Sequence, residues 1–192
     1  MKRVFIFLLS CLLTLGTLGA QDLVNIADKP MMDAVSMDSI TLADYSDADL
    51  YVLIFTSNFC PYSRKYEDRI AAISERFGSE VQVFLINPNQ GENDNLEAMQ
   101  AKAEERNYKV PYLSDKEQSL TTILGARRTP EAFLFRRNGM QLLYRGAIDD
   151  NPQAPQYVEE SYLISSIQKT LDGEPIVNSQ EKVIGCMIKK SN

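Results

Sequence analysis

Residues 55–66, FTSNFCPYSRKY, place a single cysteine, Cys60, between two segments of different hydrophobic pattern. Before it, residues 51–55 form an unbroken apolar run, which is typical of a strand buried on both faces of a sheet. After it, apolar residues recur every three or four positions from Tyr62 to Phe77, which predicts an amphipathic helix. Cys60 is therefore predicted to lie where a buried strand passes into a helix.

The junction is a favourable place for a reactive sulfur. Free N–H groups and the positive end of the helix dipole stabilise a thiolate at a helix start, and they lower the pKa of a cysteine there. Arg64 would add positive charge one turn further on, although a solvated helix face is the alternative interpretation of this residue. For Cys60 the alternative is a buried cysteine without chemistry. Redox motifs often carry a second cysteine three positions later, but Ser63 stands there.

The rest of the pattern alternates strands and helices. We predict a short strand near Ile40, a strand over 81–86, a helix opened by an Asp94–Glu97 capping box, a short helix opened by Ser114 and Glu117, strands over 131–135 and 140–144 joined at Asn138-Gly139, and a helix over 158–171. A parallel half followed by a hairpin and a covering helix gives an α/β fold. The predicted architecture is a central mixed sheet flanked by helices on both faces.

The N-terminus predicts export. Residues 1–20 combine a basic start, an apolar run and a small residue at the end, as in a secretory signal peptide. The apolar run is short for a membrane span, so we expect a periplasmic or secreted protein and no integral membrane segment after cleavage. Lipid attachment at Cys11 is disfavoured because the apolar run ahead of it is only about half the usual length. A retained anchor is the other alternative.

The composition of the chain excludes several classes of function. The net charge is −6 without a basic tract, which argues against nucleic acid as a partner. The chain contains no histidine, which excludes Cys-His and Ser-His catalysis and any histidine-ligated metal. We predict neither a metal nor an organic cofactor. The predicted domain covers residues 21–174, and a C-terminal tail, residues 175–192, carries Cys186.

Several stretches resemble a known family. They are SNFCPYSRKYEDRI at 57–70, PYLSDKEQSLTTILGARRTPEAFLF at 111–135, YRGAIDDNP at 144–152 and the ending GCMIKK at 185–190. Together they resemble thioredoxin-like proteins of the alkyl hydroperoxide reductase / thiol-specific antioxidant (redoxin) group. The resemblance implies a thioredoxin-like fold with Cys60 as the nucleophile. It also implies a cis Pro130 after Thr129, in a loop that faces Cys60 and shapes a groove for an extended substrate strand.

The sequence also departs from the family. Peroxiredoxins place a threonine or serine three residues before the reactive cysteine, where Ser57 stands, and a proline seven residues before it, where Leu53 stands. The peroxidase motif is thus incomplete. Ser57, Arg64 and an arginine partner, Arg127 or Arg128, are the candidate residues for stabilising the thiolate.

Cys186 is the candidate partner of Cys60. In an oxidising compartment two thiols can pair, and three roles are open for Cys186. It resolves a Cys60 intermediate, or it staples the tail permanently, which would contribute about 4–5 kcal/mol in the chain-entropy model, or it stays unpaired.

Three functions follow. The leading hypothesis is an exported thiol–disulfide oxidoreductase in which Cys60 attacks and Cys186 resolves, acting on protein thiols and disulfides with electrons from an external dithiol partner. The second is a thiol peroxidase that uses the same Cys60 on peroxide. The third is a non-catalytic binding module with a structural Cys60–Cys186 disulfide.

Overall fold

The computed structural model describes residues 26–190 of the 192-residue chain. The predicted signal peptide and Cys11 lie outside these residues. Between residues 26 and 190, no helix is both long enough and apolar enough to cross a membrane.

Nine strands and four α-helices form within the described part of the chain. In order they are β1 (Met31–Asp33), β2 (Ser39–Ile40), β3 (Leu50–Phe55), α1 (Pro61–Phe77), β4 (Val81–Asn87), α2 (Leu96–Arg106), β5 (Tyr112–Ser114), α3 (Ser119–Leu124), β6 (Arg128–Thr129), β7 (Glu131–Arg136), β8 (Gln141–Gly146), α4 (Tyr162–Leu171) and β9 (Cys186–Met187).

Seven of the strands make one mixed sheet in the order β2-β1-β5-β4-β3-β7-β8. The β3–β4 and β4–β5 pairs are parallel, and the β1–β2, β1–β5, β3–β7 and β7–β8 pairs are antiparallel. The remaining strands, β6 and β9, form a separate two-stranded ladder. The predicted order of a parallel half followed by a hairpin is therefore confirmed.

The core has two parts, one on each face of the sheet. Val52 and Ile54 of β3 point into one part, which α1, α2 and α4 cover. Tyr51, Leu53 and Phe55 point into the other, which α3 and the N-terminal segment cover. Because β3 is buried on both faces, it needs apolar residues at every position, and this explains the unbroken run before Cys60.

Three helix starts differ from the predictions. Asn95, not Asp94, caps α2, because its side chain accepts the N–H of Ala98. Ser114 belongs to β5, and the buried carboxylate of Asp115 instead accepts the N–H groups of Leu120 and Thr121 at the start of α3.

The third correction concerns α4. It begins at Tyr162 and not at residue 158, because the preceding segment bonds to a loop. The amide of Asp150 donates to the carbonyl of Glu160, and the amide of Leu163 donates to the carbonyl of Ile148. Strands β1, β5, β6 and β9 were not predicted, since two or three residues are too few to show a period of two.

Candidate active site

Cys60 is the N-cap residue of α1, as the change of pattern in the sequence predicts. Its side chain makes no capping hydrogen bond, and no acidic residue lies in the first turn. N-cap side chains normally accept N–H groups of the first turn, so a Cys60 thiolate would find donors there. In the structure the residue is only 2% exposed.

The residue that covers Cys60 is Cys186. The two cysteines form a disulfide with their Cα atoms 6.0 Å apart, a usual separation for such a bond. Cys186 also pairs with Thr129 across the antiparallel β6–β9 ladder. The carbonyl oxygen of Thr129 lies 3.1 Å from Sγ of Cys60. The disulfide and the ladder thus meet at one point, in front of the start of α1.

The loop that faces Cys60 has the conformation that the resemblance implied. The Thr129–Pro130 peptide bond is cis, and both residues are buried. The next residue, Glu131, fixes the conformation of the loop. Its buried carboxylate accepts the amides of Arg127 and Arg128, at 2.8 and 3.2 Å, and pairs with Arg145 at 2.9 Å.

The tail, residues 175–190, is attached to the domain at two places. Near its start, the amide of Arg145 donates to the carbonyl of Ser179 and the amide of Glu181 donates to the carbonyl of Arg145, at 2.9 and 3.1 Å. Near its end, the amide of Ile188 donates to the carbonyl of Arg127 at 3.0 Å.

Side chains reinforce the second attachment. Arg128 donates from Nη1 to the carbonyl of Gly185 at 2.9 Å. The amide of Gln118 donates from Nε2 to the carbonyl of Lys189 at 2.6 Å. Neither contact needs a particular tail side chain, because both use backbone carbonyls. The domain therefore holds this part of the tail by its backbone and by the side chain of Ile188, which packs against the core.

Asp94 is a site residue that the sequence reasoning missed. Its buried carboxylate accepts the hydroxyl of Ser57 at 3.1 Å, the amide of Asn58 at 2.8 Å and the side-chain amide of Asn87 at 2.9 Å. It thereby fixes the segment that ends at Cys60, whose amide donates to the carbonyl of Ser57. The sequence did contain a signal for this residue. Polar segments follow both β3 and β4, and the carboxyl ends of parallel strands lie at the same edge of a sheet, so contacts between these two segments could have been expected.

An open cleft of about 740 Å³ lies over the disulfide. Asp94, Thr129 and the two cysteines contribute to its wall. Two apolar side chains in the wall face solvent, Phe59 at 70% exposure and Met187 at 74%. Exposed apolar side chains that lie together in a cleft are typical of surfaces that contact other proteins.

The predicted thiolate stabilisers occupy different surroundings. Ser57 directs its hydroxyl to Asp94, and Arg64 is exposed on α1. Arg127 is exposed, and Arg128 binds the tail through Gly185. Of these residues the structure brings only Ser57 into the wall of the cleft. Their roles at a thiolate stay predictions.

Ser63 stands in the position of a second motif cysteine. It is buried, with 1% of its surface exposed. Its hydroxyl has no hydrogen-bond partner among residues 26–190. Cys60 is the N-cap and Ser63 the third residue of α1, and side chains at these two positions can reach toward each other's end of the first turn, as in a capping box.

A second buried network ties α1 to the loop after β8. The hydroxyl of Tyr66 donates to Asp149 at 2.7 Å, and Arg69 pairs with the same carboxylate at 2.6 Å. Burial, together with the hydrogen bond to Asp149, raises the pKa of Tyr66 well above its ordinary value. The network fixes the orientation of the helix that carries Cys60.

The fold, the N-cap cysteine and the cis proline opposite it define a thioredoxin-like protein. The chain belongs to the AhpC/TSA family, whose model matches residues 26–141. This is the redoxin group, so thiol oxidoreductase or peroxidase chemistry is the general class of its activity.

Two solved structures are similar over most of the chain. A hypothetical protein from Sinorhizobium meliloti 1021 is 30% identical, with 86% of this chain and 92% of that chain covered and a TM-score of 0.77. An uncharacterized conserved protein from Geobacillus kaustophilus is 27% identical, with 85% and 89% covered and a TM-score of 0.77.

A more distant similarity supports the fold alone. The exposed lipoprotein thioredoxin of Streptococcus pneumoniae strain TIGR4 is 19% identical, with 77% of this chain and 99% of that chain covered and a TM-score of 0.56. No curated protein matches the sequence.

Proposed function

We propose that the protein is an exported thiol–disulfide oxidoreductase in which Cys60 is the nucleophile and Cys186 the resolving cysteine. The disulfide between Cys60 and Cys186, placed at the start of α1 and beside the cis Pro130, is the observation that carries the proposal. Substrates are disulfides of other proteins, and an external dithiol supplies the electrons.

The reductive step begins with the dithiol form. The Cys60 thiolate attacks one sulfur of a substrate disulfide, and the second substrate sulfur leaves as a thiolate that takes up a proton. Cys186, as a thiolate, then attacks Sγ of Cys60. The substrate's first sulfur leaves in turn, so the substrate gains two electrons and the Cys60–Cys186 disulfide is formed. The N–H groups of α1 stabilise Cys60 whenever it is a thiolate.

The external dithiol regenerates the enzyme through the more accessible sulfur. Cys60 is 2% exposed, whereas Cys186 is only half-buried. Attack of the donor on Cys186 expels Cys60, and the helix start favours Cys60 as the leaving thiolate because a lower pKa makes a sulfur leave faster. The donor's second thiol then attacks its own mixed disulfide and releases Cys186.

The alternatives have weaker support. For a peroxidase, Leu53 stands where a proline is expected, Ser57 donates to Asp94, and no arginine among residues 26–190 lines the cleft. A non-catalytic module with a permanent disulfide would make no use of the helix start at Cys60, which stabilises a thiolate. Addition of hydrogen peroxide separates the peroxidase, which predicts rapid formation of a Cys60 sulfenic acid.

Export is part of the proposal. It is supported by the signal-like composition of residues 1–20 and by a disulfide that an oxidising compartment would preserve. N-terminal sequencing of the protein from the periplasmic or secreted fraction tests it. A protein that stays in the cytosol with residues 1–20 attached would refute this part.

Reduction of a protein disulfide by the full-length chain, with dithiothreitol as donor, tests the chemistry. Cys60→Ser should abolish the catalysed rate, and Cys186→Ser, mixed with the substrate without dithiothreitol, should accumulate a mixed disulfide on Cys60. A Cys60→Ser protein that works as fast as the unaltered chain would refute the proposal.

A further inference from the structure

The tail lies in the groove beside Thr129 as an extended strand. Cys186 pairs with Thr129 and Met187 pairs with Arg128, in antiparallel register. The amide of Ile188 continues the ladder to the carbonyl of Arg127. Backbone pairing at a strand edge is one of the general ways in which proteins bind extended peptides. The tail therefore displays how a segment bonded to Cys60 fits this groove.

One position of this segment has no room for a side chain. A Cβ atom on Gly185 would lie 2.3 Å from the carbonyl oxygen of Thr129 and 2.9 Å from its carbonyl carbon. It would also lie 3.3 Å from the nitrogen of Pro130. These are backbone atoms of the loop that Glu131 holds, so they cannot move aside as a flexible side chain would.

The position on the other side of the cysteine is open. Met187 is 74% exposed, so the residue that follows the cysteine meets solvent and not the groove. Of the two neighbours of the cysteine, only the preceding one is thus sterically restricted.

We propose that this groove binds extended partner segments and selects those in which a glycine directly precedes the reacting cysteine. The inference rests on the proposed function, because it concerns the partner cysteine that forms a mixed disulfide with Cys60. That sulfur must reach the place of the Cys186 sulfur. When the partner backbone also pairs with Thr129, its preceding residue takes the place of Gly185.

The tail and the partner segment then occupy the groove in turn. A partner disulfide can reach the Cys60 thiolate only after residues 185–188 have left β6, and the attack forms the Cys60–partner bond while the second partner sulfur leaves with both electrons of the broken bond. The attachment at Ser179 and Glu181 keeps the tail nearby. When Cys186 attacks Cys60, the returning strand replaces the partner strand and the partner thiolate is expelled.

Activated peptides test the selectivity. The full-length Cys11→Ser/Cys186→Ser protein contains Cys60 as its sole cysteine. It is mixed with the hexapeptide Val-Ile-Gly-Cys-Met-Ile, whose cysteine carries a 2-thiopyridyl group, and release of pyridine-2-thione gives the rate of mixed-disulfide formation. The comparison peptides are Val-Ile-Ala-Cys-Met-Ile and Val-Ile-Gly-Cys-Ala-Ile. Glutathione in place of the protein gives the intrinsic reactivity of each peptide.

After correction for reactivity with glutathione, the peptide with alanine before cysteine should react at least about tenfold more slowly than the parent peptide. The reason is that the added methyl group has no room beside the carbonyl of Thr129. The peptide with alanine after cysteine should react like the parent. If all three peptides react equally fast with the protein, and each reacts much faster than it does with glutathione, the selectivity is overturned and the proposed function still stands. Failure of every peptide to react faster than with glutathione would overturn both.

The native disulfide between Cys60 and Cys186 offers a second test in the full-length chain. Gly185→Ala should shift the equilibrium with reduced and oxidised glutathione about tenfold toward the dithiol. Gly91→Ala is the matched control, because a Cβ there meets nothing within 4 Å. An unchanged equilibrium in Gly185→Ala would overturn the inference.

Discussion

Cys186 is the ladder partner of Thr129, the residue before the cis proline, and the same cysteine is bonded to Cys60. One tail residue therefore occupies the strand edge at Thr129 and also blocks the sulfur of Cys60. Reduction of the disulfide removes the covalent part of this arrangement and leaves non-covalent contacts to hold the tail, which are the hydrogen bonds at residues 179–189 and the packing of Ile188 against the core. Access to Cys60 is consequently coupled to its redox state.

Glu131 should be needed for the shape of the loop before Pro130. Glu131→Gln keeps the size of the side chain but removes the charge that pairs with Arg145 and accepts two amides. We expect the free energy of unfolding to fall by about 2–3 kcal/mol, since loss of one member of a buried pair leaves the other without a counter-charge. Urea unfolding measures the change.

Glu75→Gln is the control for this substitution, because Glu75 is exposed. It should alter the free energy of unfolding by less than about 0.5 kcal/mol. Equal effects of the two substitutions would contradict the role given to Glu131.

Asp94 should keep the segment before Cys60 rigid. Asp94→Ala removes the acceptor for Ser57, Asn58 and Asn87, and should cost about 1–3 kcal/mol through the buried donors that it leaves unpaired. Hydrogen exchange of the Asn58 amide should become faster. Glu92→Ala, an exposed change in the same loop, should leave that exchange rate as it is. An Asn58 amide that stays equally protected without Asp94 would refute the assignment.

Ser63 should matter in the reduced protein but not in the oxidised one. In the disulfide form its hydroxyl has no partner among the described residues, so Ser63→Ala should leave the free energy of unfolding unchanged or slightly raised. In the dithiol form the hydroxyl can donate to a Cys60 thiolate at the N-cap, three positions earlier, and Ser63→Ala should raise the pKa of Cys60. Alkylation rates across pH measure that pKa. A pKa that does not move would exclude this donor.

Stability should decrease in alkaline solution. Burial and the hydrogen bond to Asp149 raise the pKa of Tyr66 above its ordinary value of 10.0, so between the unfolded and folded pKa values the folded chain holds a proton that the unfolded chain has lost. The contribution is complete below about pH 10 and is lost as the pH rises further. Tyr66→Phe should be less stable than the unaltered chain at neutral pH, with a difference that shrinks above about pH 10. A difference that is constant with pH would contradict this.

Local patterns predicted much of the fold and part of the site. The change from an apolar run to helical spacing located Cys60, because burial on both faces of β3 and on one face of α1 leaves distinct periods in the sequence. The Asn138-Gly139 pair located the β7–β8 hairpin, in which Gly139 has a φ of 77°. The resemblance supplied the cis Pro130.

Contacts between distant segments could not be predicted in this way. Asp94 gathers donors from the segments after β3 and β4, and its sequence context fits a helix cap equally well. Hydrogen bonds to the tail use backbone atoms of Gly185 and Ile188, and backbone contacts leave little trace in side-chain pattern. For the same reason the sequence left the pairing of Cys186 open among three roles.

The most direct test of the proposed function is non-reducing peptide mapping of the full-length chain across a glutathione redox titration. The account predicts a peptide pair joined through Cys60 and Cys186 that converts to two free thiols in one two-electron step, within the range of potentials that an external dithiol can supply. A disulfide that persists at the most reducing potential, or a Cys60 that never pairs with Cys186, would contradict it.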